Sequence, residues 1–132
     1  MAFNGSYYIK VGTYEIPLSL MKAESYKSSP AQRQDMDSYV DANGYLHRTV
    51  LGHTRSKMEF TLIYTNDAEF RSFWNGISAN YTNWAERKVH LTYYNEESDT
   101  YNEGDFYLPG TIDFEHFNKE IYKEMRIAFI EY

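Results

Sequence analysis

Ser56 to Tyr64 (SKMEFTLIY), followed at once by Asn66 to Asn80 (NDAEFRSFWNGISAN), decides the fold, because the apolar period changes within two residues. In the first stretch Met58, Phe60, Leu62 and Tyr64 alternate with polar or smaller residues, which predicts a half-buried strand. In the second, Phe70, Phe73, Trp74, Ile77 and Tyr81 fall on one helical stripe. Asn66 is placed to cap the first turn, and Glu69 three residues later completes a capping box. A helix with one apolar stripe must bury it, and the strand before it says against what: a sheet. Gly76 weakens the last turns of the helix, so it is expected where helix and sheet approach closely.

Toward the N-terminus, Tyr7, Ile9 and Val11 alternate, and Gly12-Thr13 allows a turn into Tyr14 to Ile16, a small hairpin. Leu18 to Met21 is expected to continue as a strand. Glu24 to Gln34 is polar, contains Pro30, and reads as an exposed loop. Asp35 to Asp41 and Tyr45 to Leu51 flank Asn43-Gly44, and Asn-Gly suits the positive φ angles of a type I′ turn, which makes Ala42-Asn43-Gly44-Tyr45 the expected hairpin tip. Toward the C-terminus, Arg87 to Tyr94 alternates again. Asn95 to Gly104 reads as a polar, acidic connection, and Asp105 to Leu108, Thr111 to Phe117 and Ile121 to Tyr132 as strands. In the last, Met125, Ile127 and Phe129 share one face, and Ala128 and Ile130 make the other partly apolar. The expected fold is mainly β (α+β): an antiparallel β-sandwich or partly closed barrel with one packed α-helix. Residues 1–132 form a single domain, from which the hairpin 35–51 projects.

Bulk properties narrow the function more than they name it. A chain of 132 residues supports one independent core. Aromatic residues make up 18%, 14 of them Tyr, which favours sheets and contact surfaces over a smooth polar exterior. The absence of cysteine excludes disulfides, zinc–thiolate sites and a thiol nucleophile. A net charge of −6 opposes stable binding to nucleic acid. The start has no basic-then-apolar leader pattern and no apolar run reaches the ~20 residues of a membrane helix, so synthesis in the cytoplasm without a membrane anchor is expected.

No motif gathers catalytic groups. His47, His53, His90 and His116 lack metal-ligand spacing, although His47 and His53 are placed to meet across a bend. Glu96, Glu97, Asp99 and Glu103 crowd one acidic loop, but not at the spacing of a helical calcium loop; a solvated turn is the plainer explanation. There is no Gly-x-Ser-x-Gly elbow and no phosphate-cradling glycine loop, and the expectation is no enzyme activity, no cofactor and no metal. Trp74 lies on the helix stripe and belongs to the core, whereas Trp84 lies beyond the helix and is the candidate exposed aromatic.

Asp37 to Leu51 (DSYVDANGYLHRTVL) with Arg55 to Phe60 (RSKMEF), and Leu91 to Asn95 (LTYYN) with Tyr101 to Pro109 (YNEGDFYLP), resemble small tail proteins of phages and prophages of Gram-positive bacteria. The resemblance covers roughly residues 37–132 and carries no catalytic signature. It implies a virion structural part of the tail-tube or baseplate type, a sandwich with one flanking helix that assembles with copies of itself into rings, commonly hexameric, and with other tail proteins. DNA would then be a transient, non-specific passenger. Within that picture Tyr39, Val40, Asn43, Gly44, Tyr45, Leu46 and Arg48 form the candidate inter-subunit arm. The alternative is a tail-tip module that recognises a host-surface glycan or receptor, with Trp84 as its platform.

Overall fold

The strand and helix that open the sequence reading sit at the centre of the molecule. The computed structural model describes residues 3–132. In chain order the elements are β1 (Ile9–Val11), β2 (Tyr14–Glu15), β3 (Lys27–Gln32), β4 (Tyr39–Val40), β5 (Leu46–His47), β6 (Arg55–Leu62), β7 (Thr65–Asn66), α1 (Asp67–Ser78), β8 (Tyr81–Asn83), β9 (Lys88–Asn95), β10 (Thr100–Tyr107), β11 (Ile121–Tyr122) and β12 (Met125–Glu131). The main sheet is antiparallel and runs β2-β1-β9-β10-β12-β6-β3, with β8 also on β9. β10 and β12 share only the pairs Phe106–Glu131 and Tyr107–Ile130, so the sheet turns a corner there and folds into two layers. The fold is α+β and sandwich-like, and no closed barrel forms.

Side chains rather than backbone bonds span the open seam between β3 and β1/β9. The Tyr8 and Tyr26 rings stack at 4.5 Å, the Ser56 and Tyr93 hydroxyls lie 3.0 Å apart, and the Arg33 guanidinium reaches Glu97 at 2.6 Å. Ile9, Val11, Leu91 and Phe106 from one layer meet Met58, Phe60, Leu62, Ile127 and Phe129 from the other. Each such burial stabilises by about 1.5–3 kcal/mol.

Helix α1 closes this core. Asn66 accepts a hydrogen bond from the Glu69 N–H at 2.8 Å, and the Glu69 carboxylate accepts one from the Asn66 N–H at 3.0 Å, the predicted capping box. Phe70, Phe73 and Ile77 are buried, and Phe73 meets Phe60 edge-on. Trp74 is half-buried and Tyr81 belongs to β8. A Cβ on Gly76 would lie 2.6 Å from the Tyr14 ring of β2, so glycine is what lets helix and sheet touch. No helix among the described residues is long and apolar enough to cross a membrane.

Six expectations are corrected. Leu18 to Leu20 is a 3₁₀ turn, not a strand, because Pro17 fixes the entry and its carbonyl accepts from the Leu20 N–H. Lys27 to Gln32, expected as loop, is the edge strand β3; it pairs only on its β6 side, and its register slips between Ser29 and Gln32, where Pro30 costs no ladder bond. Thr111 to Phe117, expected as a strand, is irregular. Its alternation is genuine, since Phe114 packs on Phe70 and Trp74, but its backbone makes only the isolated bridge of His116 to Tyr122. Ile121 to Tyr132 is two strands, β11 pairing with β7 beneath the helix start and β12 entering the main sheet. The acidic connection 95–104 shrinks to a turn, with Thr100 to Gly104 already in β10. Tyr64, expected on the buried face, is exposed beyond the end of β6, and Thr65 is buried instead.

Candidate functional site

Residues 35–51 form a two-stranded ribbon separate from the main sheet, with β4–β5 pairing Tyr39 to His47 and Val40 to Leu46. Its tip differs from the type I′ turn expected at Asn43-Gly44. The Asp41 carbonyl accepts from the Gly44 N–H at 3.0 Å, the Asp41 N–H donates to the Tyr45 carbonyl at 2.9 Å, and of the tip residues only Gly44 has positive φ, at 86°. This is a turn over 41–44 ending in a glycine bulge. Asp41 selects it: one carboxylate oxygen accepts from the N–H groups of Asn43 (2.9 Å) and Tyr45 (3.0 Å). The other lies 2.7 Å from His47 Nε2. The His47 hydrogen bond and then these backbone donors hold the Asp41 carboxyl below its ordinary pKa.

Cross-strand neighbours share a face, so the register divides the ribbon in two. One face carries the stacked Tyr39 and His47 rings, 4.8 Å apart. The other carries Val40, Leu46 and Val50, an aliphatic stripe beside the Arg48–Asp35 ion pair of 2.8 Å. Residues 35–50 make no hydrogen bond or ion pair to the body among the described residues; their bonds close within the ribbon. Val40 is 63% exposed, Leu46 58% and Tyr45 71%, and Met36, Tyr39 and Val50 are exposed too. A lone ribbon of this kind is marginal in water, and these side chains gain nothing from the chain's own core.

The acidic residues do not converge. Glu96, Glu97 and Asp99 lie in the β9–β10 turn, where the buried Asn95 side chain accepts from the N–H groups of Glu97 and Ser98, and Glu97 pairs with Arg33. Glu103 is on β10, 3.1 Å from His90 Nε2, with Asp105 3.5 Å from Nδ1; the Glu103 hydrogen bond leads in raising the His90 pKa. His47 and His53 do not form a pair: His47 holds Asp41, and His53 Nε2 lies 2.5 Å from the Tyr132 carbonyl oxygen. No group of described residues is arranged to hold a metal ion. Trp84 is 71% exposed and braced by the edge of Tyr81 at 4.9 Å.

A family model described as "Family of unknown function (DUF6711)" matches residues 1–132. The chain belongs to that family. No curated protein matches the DUF6711 chain significantly. Among solved structures it is similar to a chain from the tail of an empty gene transfer agent particle, determined by helical refinement with C6 symmetry. The TM-score is 0.54 and the identity 18%, over 99% of this chain and 95% of that one. It is also similar to a chain from the virion of a native gene transfer agent particle, with TM-score 0.49 and 16% identity, over 99% and 95%. At these identities the likeness is one of fold.

Sequence reading of the DUF6711 chain found the ribbon but not its division into faces. Asp37, at φ 54°, bulges its strand by one residue and so sets Asp35 opposite Val50 and within reach of Arg48, and no composition signal marks that bulge. The surroundings of Trp84 were also missed: Tyr107 and Tyr132 arrive from strands distant in sequence.

Proposed function

We propose that this chain is a structural, non-enzymatic subunit of a phage-type tail, of the tube, tube-end or baseplate kind found in phages and prophages of Gram-positive bacteria. Copies close into a ring, and the 35–51 ribbon is the arm that grips a neighbour or another tail protein. The observation that carries this reading is the ribbon itself, a separate two-stranded sheet with a bare aliphatic stripe and, among the described residues, no polar tie to the rest of the chain. Apolar side chains left this exposed are placed to be covered by another surface. The likeness in fold to the C6-symmetric tail chain supports the choice of a tail over other assemblies. On this reading the protein is made in the host cytoplasm and ends in the virion, and DNA passes it without lasting contact, which a net charge of −6 favours.

Negative-stain imaging and mass photometry of the purified chain, alone and with its tail partners, test the proposal. Closed rings or partner-bound stacks are the expected result. A monomer that stays single at high concentration and joins no tail particle refutes it.

A further inference from the structure

Trp84 sits on the rim of a cleft of about 580 Å³, a volume ordinary for a small-molecule site. Its lining includes Glu86, Arg87, Tyr107, Leu108 and Tyr132. The turn that presents the indole is fixed. The Arg87 N–H donates to the Trp84 carbonyl at 3.2 Å, the Glu86 N–H donates to Asn83 Oδ1 at 3.2 Å, and Arg87 holds φ at 52°. Across the cleft the Tyr107 and Tyr132 rings meet edge to face at 5.1 Å. A large side chain that is 71% exposed contributes little to folding, and a fixed backbone turn beneath it lowers the ordering cost of binding.

The charges around the cleft are already compensated. The Glu86 carboxylate accepts from the Tyr132 hydroxyl at 2.6 Å and from the Asn83 amide at 2.7 Å. The Arg87 guanidinium donates to the carbonyls of Pro109 and Gly110 at 2.5 and 3.1 Å, and the Lys88 ammonium lies 5.1 Å from the Tyr132 ring centre. Of the lining residues, Glu86 and Arg87 have opposite charges and both are already hydrogen-bonded, so together they offer an ionic ligand no net charge. What remains is an aromatic face bordered by interleaved donors and acceptors. That combination suits a ring with one C–H face and a fringe of hydroxyls, each able both to donate and to accept. The Tyr132 hydroxyl stays protonated, since donating to Glu86 pushes its pKa up to about 12.

We propose that the Trp84 cleft binds a neutral pyranose sugar, stacked on the indole and hydrogen-bonded along the Glu86–Tyr132 wall. The site shares no residue with the 35–51 ribbon, so it stands or falls apart from the ring reading.

The test is a solution NMR titration of the full chain with maltose, lactose and N,N′-diacetylchitobiose, and with glucuronate as the charged counterpart. At least one neutral sugar is expected to give saturable, millimolar-range shifts of the Trp84 indole N–H and of amides 84–87 and 107–110. Trp84→Ala should weaken that binding at least about tenfold. Trp84→Phe, which keeps a stacking face, should retain part of it even if the alanine variant folds poorly. The double variant Val40→Asp/Leu46→Asp should bind sugar as the parent does, whether or not it assembles. The proposal is overturned if no neutral sugar moves these signals, if only glucuronate does, or if Trp84→Ala binds as the parent. It is equally overturned if the Trp84 signal broadens with protein concentration and no added sugar competes, because a second copy then occupies the cleft.

Discussion

Replacing Val40 and Leu46 together by aspartate should abolish assembly while leaving the fold nearly untouched. Both side chains are mostly in water in the isolated chain, at 63% and 58% exposure. Each substitution should therefore change the chain's own stability by no more than about 0.5 kcal/mol. The two together move the melting temperature by less than about 4 °C. In an assembled contact the same two side chains would each lose about 1–2 kcal/mol of burial. Two buried, unpaired carboxylates add several kcal/mol more. The total is at least about 4 kcal/mol per contact, a weakening of roughly a thousandfold or more. Mass photometry reads the assembly and differential scanning fluorimetry the fold, on the same samples. Phe73→Ala is the opposite control: Phe73 is fully buried against Phe60 and Tyr14, and its loss should cost about 3–5 kcal/mol. Rings that persist unchanged in the double variant refute the arm. So does a melting loss on the scale of Phe73→Ala, which would mean the stripe is bedded on its own body.

Gly76→Ala should destabilise by about 1–3 kcal/mol in urea unfolding even though alanine is the better helix former, because its Cβ would lie 2.6 Å from the Tyr14 ring. A neutral or stabilising result would show that the β1–β2 hairpin yields freely. Asn66→Ala removes the side-chain half of the capping box and should cost about 1 kcal/mol in the same assay, with Asn66→Asp keeping most of it. The His90 pKa is raised, chiefly by its hydrogen bond to Glu103, then by Asp105. Its contribution is fully present below the unfolded value of about 6.5 and is lost as pH rises through the higher folded value. Imidazole NMR should place the His90 midpoint above the ordinary histidine value of about 6.5, and His90→Gln should flatten stability against pH in that window. Because His90 is half-exposed the slope is small, and an unchanged slope in the variant would remove the pair from the stability account.

The parts of the fold that the sequence states openly are those where one physical signal dominates. The β6–α1 junction is legible because the alternation of Met58, Phe60 and Leu62 and the stripe of Phe70, Phe73 and Ile77 both report burial on one side, and Asn66 with Glu69 marks the boundary chemically. β3 is illegible for the converse reason. KSSPAQ buries no large apolar side chain, and it is a strand only because the β6 edge beside it needs a partner. Thr111 to Phe117 errs the other way: its alternation reports packing over Phe70 and Trp74 while its backbone joins β11 only by one bridge, His116 to Tyr122. For the candidate site, Asn43-Gly44 announces the ribbon, but its turn is decided by Asp41, a residue outside the Asn-Gly pair. The Trp84 cleft lies beyond local reading altogether, because its walls come from the 84–87 turn, the end of β10 with the residues just after it, and Tyr132 beyond β12.

The two edges of the main sheet bear on how copies would join. At one edge β2 is two residues long, and at the other β3 carries Pro30 and a register slip, with its open side facing β9 across the Tyr8–Tyr26 stack. Neither edge offers a run of free N–H and C=O groups on which a neighbour's strand could extend the sheet, and short or bulged edges are how β proteins resist uncontrolled pairing. The ribbon differs, since β4 and β5 each have a free outer edge besides the exposed stripe. Two ribbons pairing with each other would stop at a symmetric dimer. A ribbon seated on a different surface of the next copy makes a head-to-tail contact, which repeats until the rotation closes. With the sheet edges blunted, the ring reading therefore rests on the ribbon's receptor lying elsewhere than on another ribbon. Cross-linking from a cysteine placed at Leu46 should accordingly map to body residues of the neighbour, and ribbon-to-ribbon products alone would point to a dimer instead.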